Sequence, residues 1–404
     1  MTPVFADPAS GDTLWPEGFL LSGINCGVKP KRKDLMLMLC DEPSSTASVS
    51  TTNLCCAAPV ELSRNALATS KGRIRAIVCN SGNANAATGA EGMKNAESMA
   101  ETVANAIGCD SGEVLVASTG VIGQQLPIGK ITASVPTLKA ASGPANWAEA
   151  AEAIMTTDTF PKAFAVDVKL SGGTARIAGI TKGSGMICPN MATMLAFLGT
   201  DAAIDPALLQ ELLSAANAVS FNAITVDGDT STNDMAAIMA SGKGPEVLSD
   251  SDDARLFGEA LRSVMTMLAQ LIIVDGEGAT KFVELRVTGA KSDAEARMAA
   301  MTVANSPLVK TAINGEDANW GRIIGAAGRS GATFVQEELA VSFNDEPILK
   351  PGLDANFSEE RAKKVMQQKE FSITLSLGNG PGTATVWTCD LSHGYIEING
   401  SYRS

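Results

Sequence analysis

Apolar and polar positions recur along this chain with two periods, and the changes of period mark its elements. The sharpest alternation is Phe164, Val166, Val168 and Leu170, spaced by polar or small residues. Ser171-Gly172-Gly173 follows and Thr174 to Ile180 returns, which predicts a β-hairpin. Apolar runs predict strands at Asp34 to Cys40 and Arg73 to Cys79, the second opening into the polar loop NSGNANAATG. Val114 to Ala117 predicts a short strand that empties into STGVIG, residues 118 to 123. Helical spacing runs from Glu91 to Ile107, and from Asn146 to Met155 as a capped helix ending at Thr156, Thr157 and Asp158. Asp205-Pro206 is a cap and first-turn pair for a helix to Val219, and a long helix runs from Asp252 to Val274 before Gly276-Glu277-Gly278.

After Lys281 the texture shifts. A strand from Phe282 to Val287, a helix led by Ser292, and strands from Phe371 to Leu377 and Thr383 to Cys389 are predicted. The first 16 residues read as a loose arm, and DLSHGYIE as a turn before a last strand. Mixed strands and helices with antiparallel hairpins predict α/β layers or an α+β arrangement rather than an all-parallel sheet. At 404 residues two domains are expected, 1–281 and 282–404. Hydrophobic residues are 45% of the chain but aromatics only 4%, so the core is built from Ala, Val, Leu, Ile and Met.

Charge and rare residues remove several function classes. Lys and Arg number 31 against 44 acidic residues, a net charge of -13, which argues against a nucleic-acid partner. The longest strongly apolar stretch, Met265 to Val274, is about half a membrane span, and MTPVFADPAS has no basic or apolar leader character. A soluble cytoplasmic protein with no membrane partner is expected. The eight cysteines form no C-x-x-C pair and sit mostly in apolar contexts, as free thiols of a reducing compartment do. With His393 the only histidine, a His-rich zinc site is excluded and any histidine-based triad must pass through that residue.

The segment KGSGMICPNMATMLAFL, residues 182 to 198, is the richest in chemistry: a Gly/Ser/Pro loop runs into Thr193 at the edge of an apolar strand. As a dinucleotide loop it fails, because Cys188 stands where the third glycine belongs. Cys188 as a nucleophile has no histidine near it in sequence. The carboxylate-rich DGDTSTND, Asp227 to Asp234, fails as a calcium loop because Thr232 replaces the needed glycine and Ile238 the bidentate glutamate, so a polar turn network is expected and no metal. A Thr193 nucleophile needs a base: Lys182, a carboxylate, or an α-amine. An α-amine ordinarily titrates at about 7.7 to 8.0 against about 10.4 for lysine, so it holds a free lone pair near neutrality. Thr193 supplies that amine itself if its hydroxyl attacks the Ala192 carbonyl and the resulting ester is hydrolysed. Ser118-Thr119-Gly120, at the mouth of a strand, can aim a backbone N–H and a hydroxyl at an oxyanion.

GITKGSGMICPNMATMLAFL closely resembles the self-cleaving threonine segment of the ornithine acetyltransferase family, the glutamate N-acetyltransferases of arginine biosynthesis. The resemblance runs through GINCGVKPKRKDL, NSGNANAATG, STGVIG, MTTDTFPK, ITVDGDTSTND, DGEGATKF, NSPLVKTAINGEDANWGRI and the tail YIEINGSYRS, in that order. It implies an N-terminal-nucleophile-like αββα sandwich with a smaller C-terminal domain, whose tail returns to the active site, and an α2β2 assembly. It also implies cleavage between Ala192 and Thr193 into chains of 192 and 212 residues.

Residue by residue, the resemblance makes Thr193 the nucleophile and Thr119 and Gly120 the oxyanion hole. It assigns substrate binding to Thr156, Lys182, Thr193, Glu277, Asn399 and Ser404. Lys182 suits an α-carboxylate, Glu277 suits an ammonium group, and a tail over the site would shield an acyl-enzyme from water. The implied reaction is a ping-pong without cofactor: Thr193 takes acetyl from N-acetylornithine, ornithine leaves, and glutamate becomes N-acetylglutamate. Some family members also accept acetyl-CoA. Ala223 stands where an arginine is common in the family, and Ala87 where a cysteine is. A self-cleaving aminopeptidase or amidase of the related fold, with water as acceptor, is the alternative, and a non-catalytic remnant a third class.

Overall fold

The computed structural model describes residues 1–4, 13–188 and 194–400. Two compact units emerge, the first made of 1–183, 189–222 and 229–272, the second of 184–188, 223–228 and 273–404.

The first unit is organised by one long strand, Leu35–Ser50. It lies inside a nine-stranded sheet ordered Thr2–Val4, Lys162–Leu170, Gly173–Lys182, Leu195–Thr200, Met235–Ala240, Leu35–Ser50, Arg73–Asn83, Val114–Val121, with Phe19–Ile24 added beside Leu35–Ser50. Its side chains alternate between two cores, as a pleated strand requires. Leu35, Leu37 and Leu39 pack with Met99, Val103, Ile131 and Val135 of the helices Gly89–Ile107 and Ile128–Ala140. Met36 and Met38 pack instead with Ala178, Ile180, Leu195 and Phe197, so two stretches of the same sheet face one another. The pairing of Leu35–Ser50 with Arg73–Asn83 shifts register between Leu39 and Ser44. Such an irregularity bends a strand.

On the far side of Gly173–Lys182, a Cβ at Gly179 would lie 2.8 Å from Leu268 and 3.1 Å from Leu198. The helix Asp252–Val274 therefore lies against that face, and its buried stripe is Phe257, Leu261, Val264, Leu268 and Ile272. By length and composition this helix could cross a membrane, but its apolar stripe is spent on the core of this unit. Helix, sheet, sheet and helix are thus stacked as the resemblance implied.

The second unit has a six-stranded mixed sheet ordered Ile224–Thr225, Gly382–Cys389, Phe282–Ala290, Glu370–Ser376, Ala340–Phe343, Glu346–Leu349. Its core joins Val283, Leu285 and Val287 to Ala296, Ala300 and Val303 of Asp293–Ala304, the helix that Ser292 caps by accepting from the Glu295 N–H.

Four expectations are corrected. The N-terminal arm is not loose where it is described: Thr2–Val4 pairs with Lys162–Leu170, and Leu14 and Trp15 are buried. Gly199 makes the room, since a Cβ there would stand 2.6 Å from the Trp15 indole nitrogen. The strand read as ending at Ala117 runs on through Val121, because Ser118, Thr119 and Gly120 pair with Asn80, Ser81 and Gly82. The segment around His393 holds no strand but a helix, His393–Gly400. The helix read from Asn146 to Met155 spans Trp147–Ala153, and Asn146 caps nothing with its side chain, which donates to the Ala141 carbonyl.

Candidate functional site

Asp158 organises the residues of the first unit that the sequence singles out. Its buried carboxylate accepts from Lys162 Nζ at 2.7 Å and the Gly183 N–H at 2.7 Å, and from the Thr156 N–H at 2.9 Å. Burial drives this carboxyl upward, but Lys182 and Lys162 outweigh burial and hold it at about 2. Arg32 donates to the Asp158 carbonyl at 3.3 Å and Lys29 to the Met155 carbonyl at 2.9 Å, so the basic residues of GINCGVKPKRKDL brace the same turn. Burial lowers the Lys29 ammonium from its ordinary range.

Lys182 ends the strand Gly173–Lys182, in register with Leu195, and is buried. Its Nζ lies 3.5 Å from Thr119 Oγ1, the outer edge of a hydrogen bond. Thr119 and Gly120 are set by their strand neighbours. Ser118 donates to Asn80 Oδ1 at 2.6 Å, and the Ser118 carbonyl accepts from Asn233 Nδ2 at 2.9 Å. Gly120 has φ +132°, and a Cβ there would lie 2.3 Å from the Gly82 carbonyl carbon. Backbone leaves no room for a side chain at this position. Thr156 and Lys182 thus meet at the buried Asp158 carboxylate, and Thr119 joins them through Lys182.

In the second unit Glu277 and Asn399 meet. Glu277 is buried, its N–H donates to the Ser184 carbonyl at 2.8 Å, and Asn399 Nδ2 donates to its Oε2 at 2.7 Å. Gly185 lies directly against that carboxylate: a Cβ would fall 2.1 Å from Glu277 Oε2. Asp227 accepts from the N–H groups of Met186 at 2.6 Å and Ile187 at 2.9 Å, and from the Tyr395 hydroxyl at 3.1 Å. The loop 184–188 and the helix His393–Gly400 are held by the same carboxylate. Cys188 Sγ accepts from Asn305 Nδ2 at 3.4 Å. Ala192, Thr193 and Ser404 lie outside the described residues.

The profile of the ArgJ family matches residues 20–404. The chain belongs to the ArgJ family. The arginine biosynthesis bifunctional protein ArgJ of Chlorobaculum tepidum is 82% identical over 404 residues, with the whole of both chains covered. That of Chlorobium chlorochromatii is 60% identical over 405 residues, covering 100% of this chain and 94% of its own. The crystal structure of the protein of the same name from Bacillus halodurans is 45% identical and covers 50% of this chain and 96% of its own, with a TM-score of 0.48. As an ArgJ member the chain is an acetyltransferase of arginine biosynthesis, the activity its motifs implied.

The motifs give Asp158 and Lys162 no role, and Asn233 and Asp234 only a place in a polar turn network. The signal was present, since Asp158 lies in MTTDTFPK and Asn233 and Asp234 in ITVDGDTSTND. What was hidden was their burial.

Proposed function

We propose that this chain cleaves itself between Ala192 and Thr193 and then transfers acetyl from N-acetylornithine to glutamate through an ester on the Thr193 hydroxyl. The Thr193 α-amine released by cleavage takes the hydroxyl proton as the acyl group is attacked, and returns it to the departing ornithine amine. Thr119 and Gly120 stabilise the oxyanion, whose loss of a single donor typically costs about 100- to 1000-fold. Lys182 is assigned the substrate α-carboxylate and Glu277 an ammonium group, with Thr156, Asn399 and Ser404 completing recognition. The resulting chains are expected to assemble as α2β2. The observation that carries this reading is that Thr156 and Lys182 meet the Asp158 carboxylate while Thr119 lies against Lys182, at the end of the strand Gly173–Lys182. The relatives' name, bifunctional protein, supports a second use of the site: acetyl-CoA as donor, forming N-acetylglutamate directly.

Incubation with N-acetylornithine and glutamate tests the transfer. Ornithine and N-acetylglutamate should rise together in equal amounts; release of acetate without N-acetylglutamate would instead mark a hydrolase. Acetyl-CoA offered as sole donor tests the second activity, with N-acetylglutamate expected and its absence contrary.

Gly185→Ala probes the assignment of Glu277. The added methyl meets the far end of a flexible side chain, so the fold should survive while the carboxylate is displaced. Loss of one charged hydrogen bond is worth roughly 1.5–3 kcal/mol, so KM for N-acetylornithine should rise about 10- to 100-fold with an unchanged melting temperature. An unaltered KM would remove Glu277 from substrate binding.

A further inference from the structure

Asp390 is a buried carboxylate with no place among the substrate or oxyanion groups. It is 2% exposed, and each of its oxygens accepts two hydrogen bonds. Oδ1 takes the N–H groups of Thr280 at 2.7 Å and Lys281 at 2.9 Å. Oδ2 takes the Thr280 hydroxyl at 2.6 Å and Asn314 Nδ2 at 2.7 Å. A carboxylate has about four acceptor sites, so this one is spent on holding chain rather than ligand.

The backbone that carries Asp390 is anchored separately. Lys310, buried in the helix Pro307–Asn314, donates from Nζ to Thr388 Oγ1 at 2.9 Å and to the Cys389 carbonyl. The Lys310 carbonyl accepts from the Leu391 N–H at 3.2 Å. Across the sheet Cys389 pairs with Phe282. Helix and sheet therefore fix the backbone around Asp390, and its carboxylate takes the N–H groups of the two residues just before Phe282.

Those two residues end the turn that carries Glu277. Ser392 Oγ donates to the Gly278 carbonyl at 2.5 Å, and a Cβ on Gly278, whose φ is +68°, would lie 2.3 Å from the Tyr395 nitrogen. Asn399 grips the Glu277 carboxylate itself. Glu277 stands three residues before Thr280, in a stretch without helix or strand. A recognition group must be held to within about 0.5 Å of its working geometry, and here regular structure does not supply that hold.

We infer that Asp390 is a positioning residue for substrate recognition, fixing through Thr280 and Lys281 where the Glu277 carboxylate stands. The inference rests on the reading of Glu277 as the group that takes the substrate ammonium. Its bonds to Thr280 and Lys281 are charge-assisted, roughly twice as strong as neutral ones, so weakening them frees the turn without touching the substrate.

Initial rates with N-acetylornithine varied at saturating glutamate test this in Asp390→Asn, Glu277→Gln and the double variant. Asp390→Asn keeps one acceptor oxygen of two; KM for N-acetylornithine should rise about 10-fold with kcat little changed. In the Glu277→Gln background the same substitution should leave KM where Glu277→Gln alone puts it, because a residue acting through another adds nothing once that one is gone. An equal rise in both backgrounds marks a merely structural residue and overturns the proposal. So does a wild-type KM for Asp390→Asn while Glu277→Gln raises it. Glu277→Gln with a wild-type KM is a separate failure: it contradicts the ammonium assignment and removes this inference with it. If circular dichroism shows Asp390→Asn unfolded, Thr280→Val decides. That variant removes only the hydroxyl donor to Oδ2 and should raise KM about 10-fold with the same non-additivity; an unchanged KM overturns the proposal.

Discussion

Thr193→Ala should leave the 404-residue chain in one piece and abolish acetyl transfer. Two losses coincide in this variant. Without the hydroxyl nothing attacks the Ala192 carbonyl, so no α-amine is released; without the hydroxyl there is also no oxygen to carry acetyl. Because nucleophile and base fail together, the drop in kcat should be on the order of 10⁴-fold or more, as for other nucleophiles that act as a unit with their base. Thr193→Ser keeps the hydroxyl and should still split and transfer. The strand Leu195–Thr200 is wholly buried and in register on both sides, so thermal stability should change little. Cleaved Thr193→Ala protein would remove the nucleophile assignment.

Asp158→Asn should be the most damaging change away from Thr193. The Lys162 and Asp158 side chains are both fully shielded and their charges lie 2.7 Å apart, so neutralising the acid strands a buried ammonium, a defect worth about 3–5 kcal/mol. The midpoint of urea unfolding should drop accordingly, and transfer should fall because asparagine keeps only one of the two oxygens that accept from the Thr156 and Gly183 N–H groups. An unchanged midpoint would show that the pair contributes nothing.

The same carboxyl predicts an acid limb of stability. Its folded value of about 2 lies below the ordinary value of 3.8, a gap of roughly 2 kcal/mol at 1.36 kcal/mol per unit. A depressed acid stabilises the fold above its unfolded value. That contribution is complete above about pH 4 and is lost as pH falls toward 2. In Asp158→Asn this part of the pH dependence should be missing.

Much of the fold was legible because local patterns decided it. The hairpin Lys162–Leu170 with Gly173–Lys182 followed from alternation and a Ser-Gly-Gly turn, and the helix Pro206–Ala218 from an Asp205 side chain that does accept from the Ala207 N–H. Where long-range packing decided, the pattern misled. Trp15 is held by space at Gly199, which nothing in the first 16 residues reveals. In YIEI, β-branched and aromatic residues favour a strand, yet Tyr395 reaches Asp227, Asn399 donates to the Tyr395 carbonyl at 3.0 Å, and a helix forms. The extension of Val114–Val121 depends on Gly120 meeting Gly82, a match between two loops as the sequence displays them.

The site divides the same way. Lys182, Thr156 and Thr119 were readable from motifs, and the structure groups them; Glu277 and Asn399 were readable, and they are hydrogen-bonded. Asp158 and Asp234 were not, because a carboxylate in a polar run carries no sign of whether it will be buried. Asp158 is buried beside two lysines and stays charged, whereas Asp234 is buried with a single cation facing it and is driven toward neutrality.

The intact mass of the purified wild-type protein under denaturing conditions, with the N-terminal sequence of each species, tests the central claim most directly. Two chains of 192 and 212 residues are predicted, the longer beginning at Thr193. A single species of 41.6 kDa would contradict it.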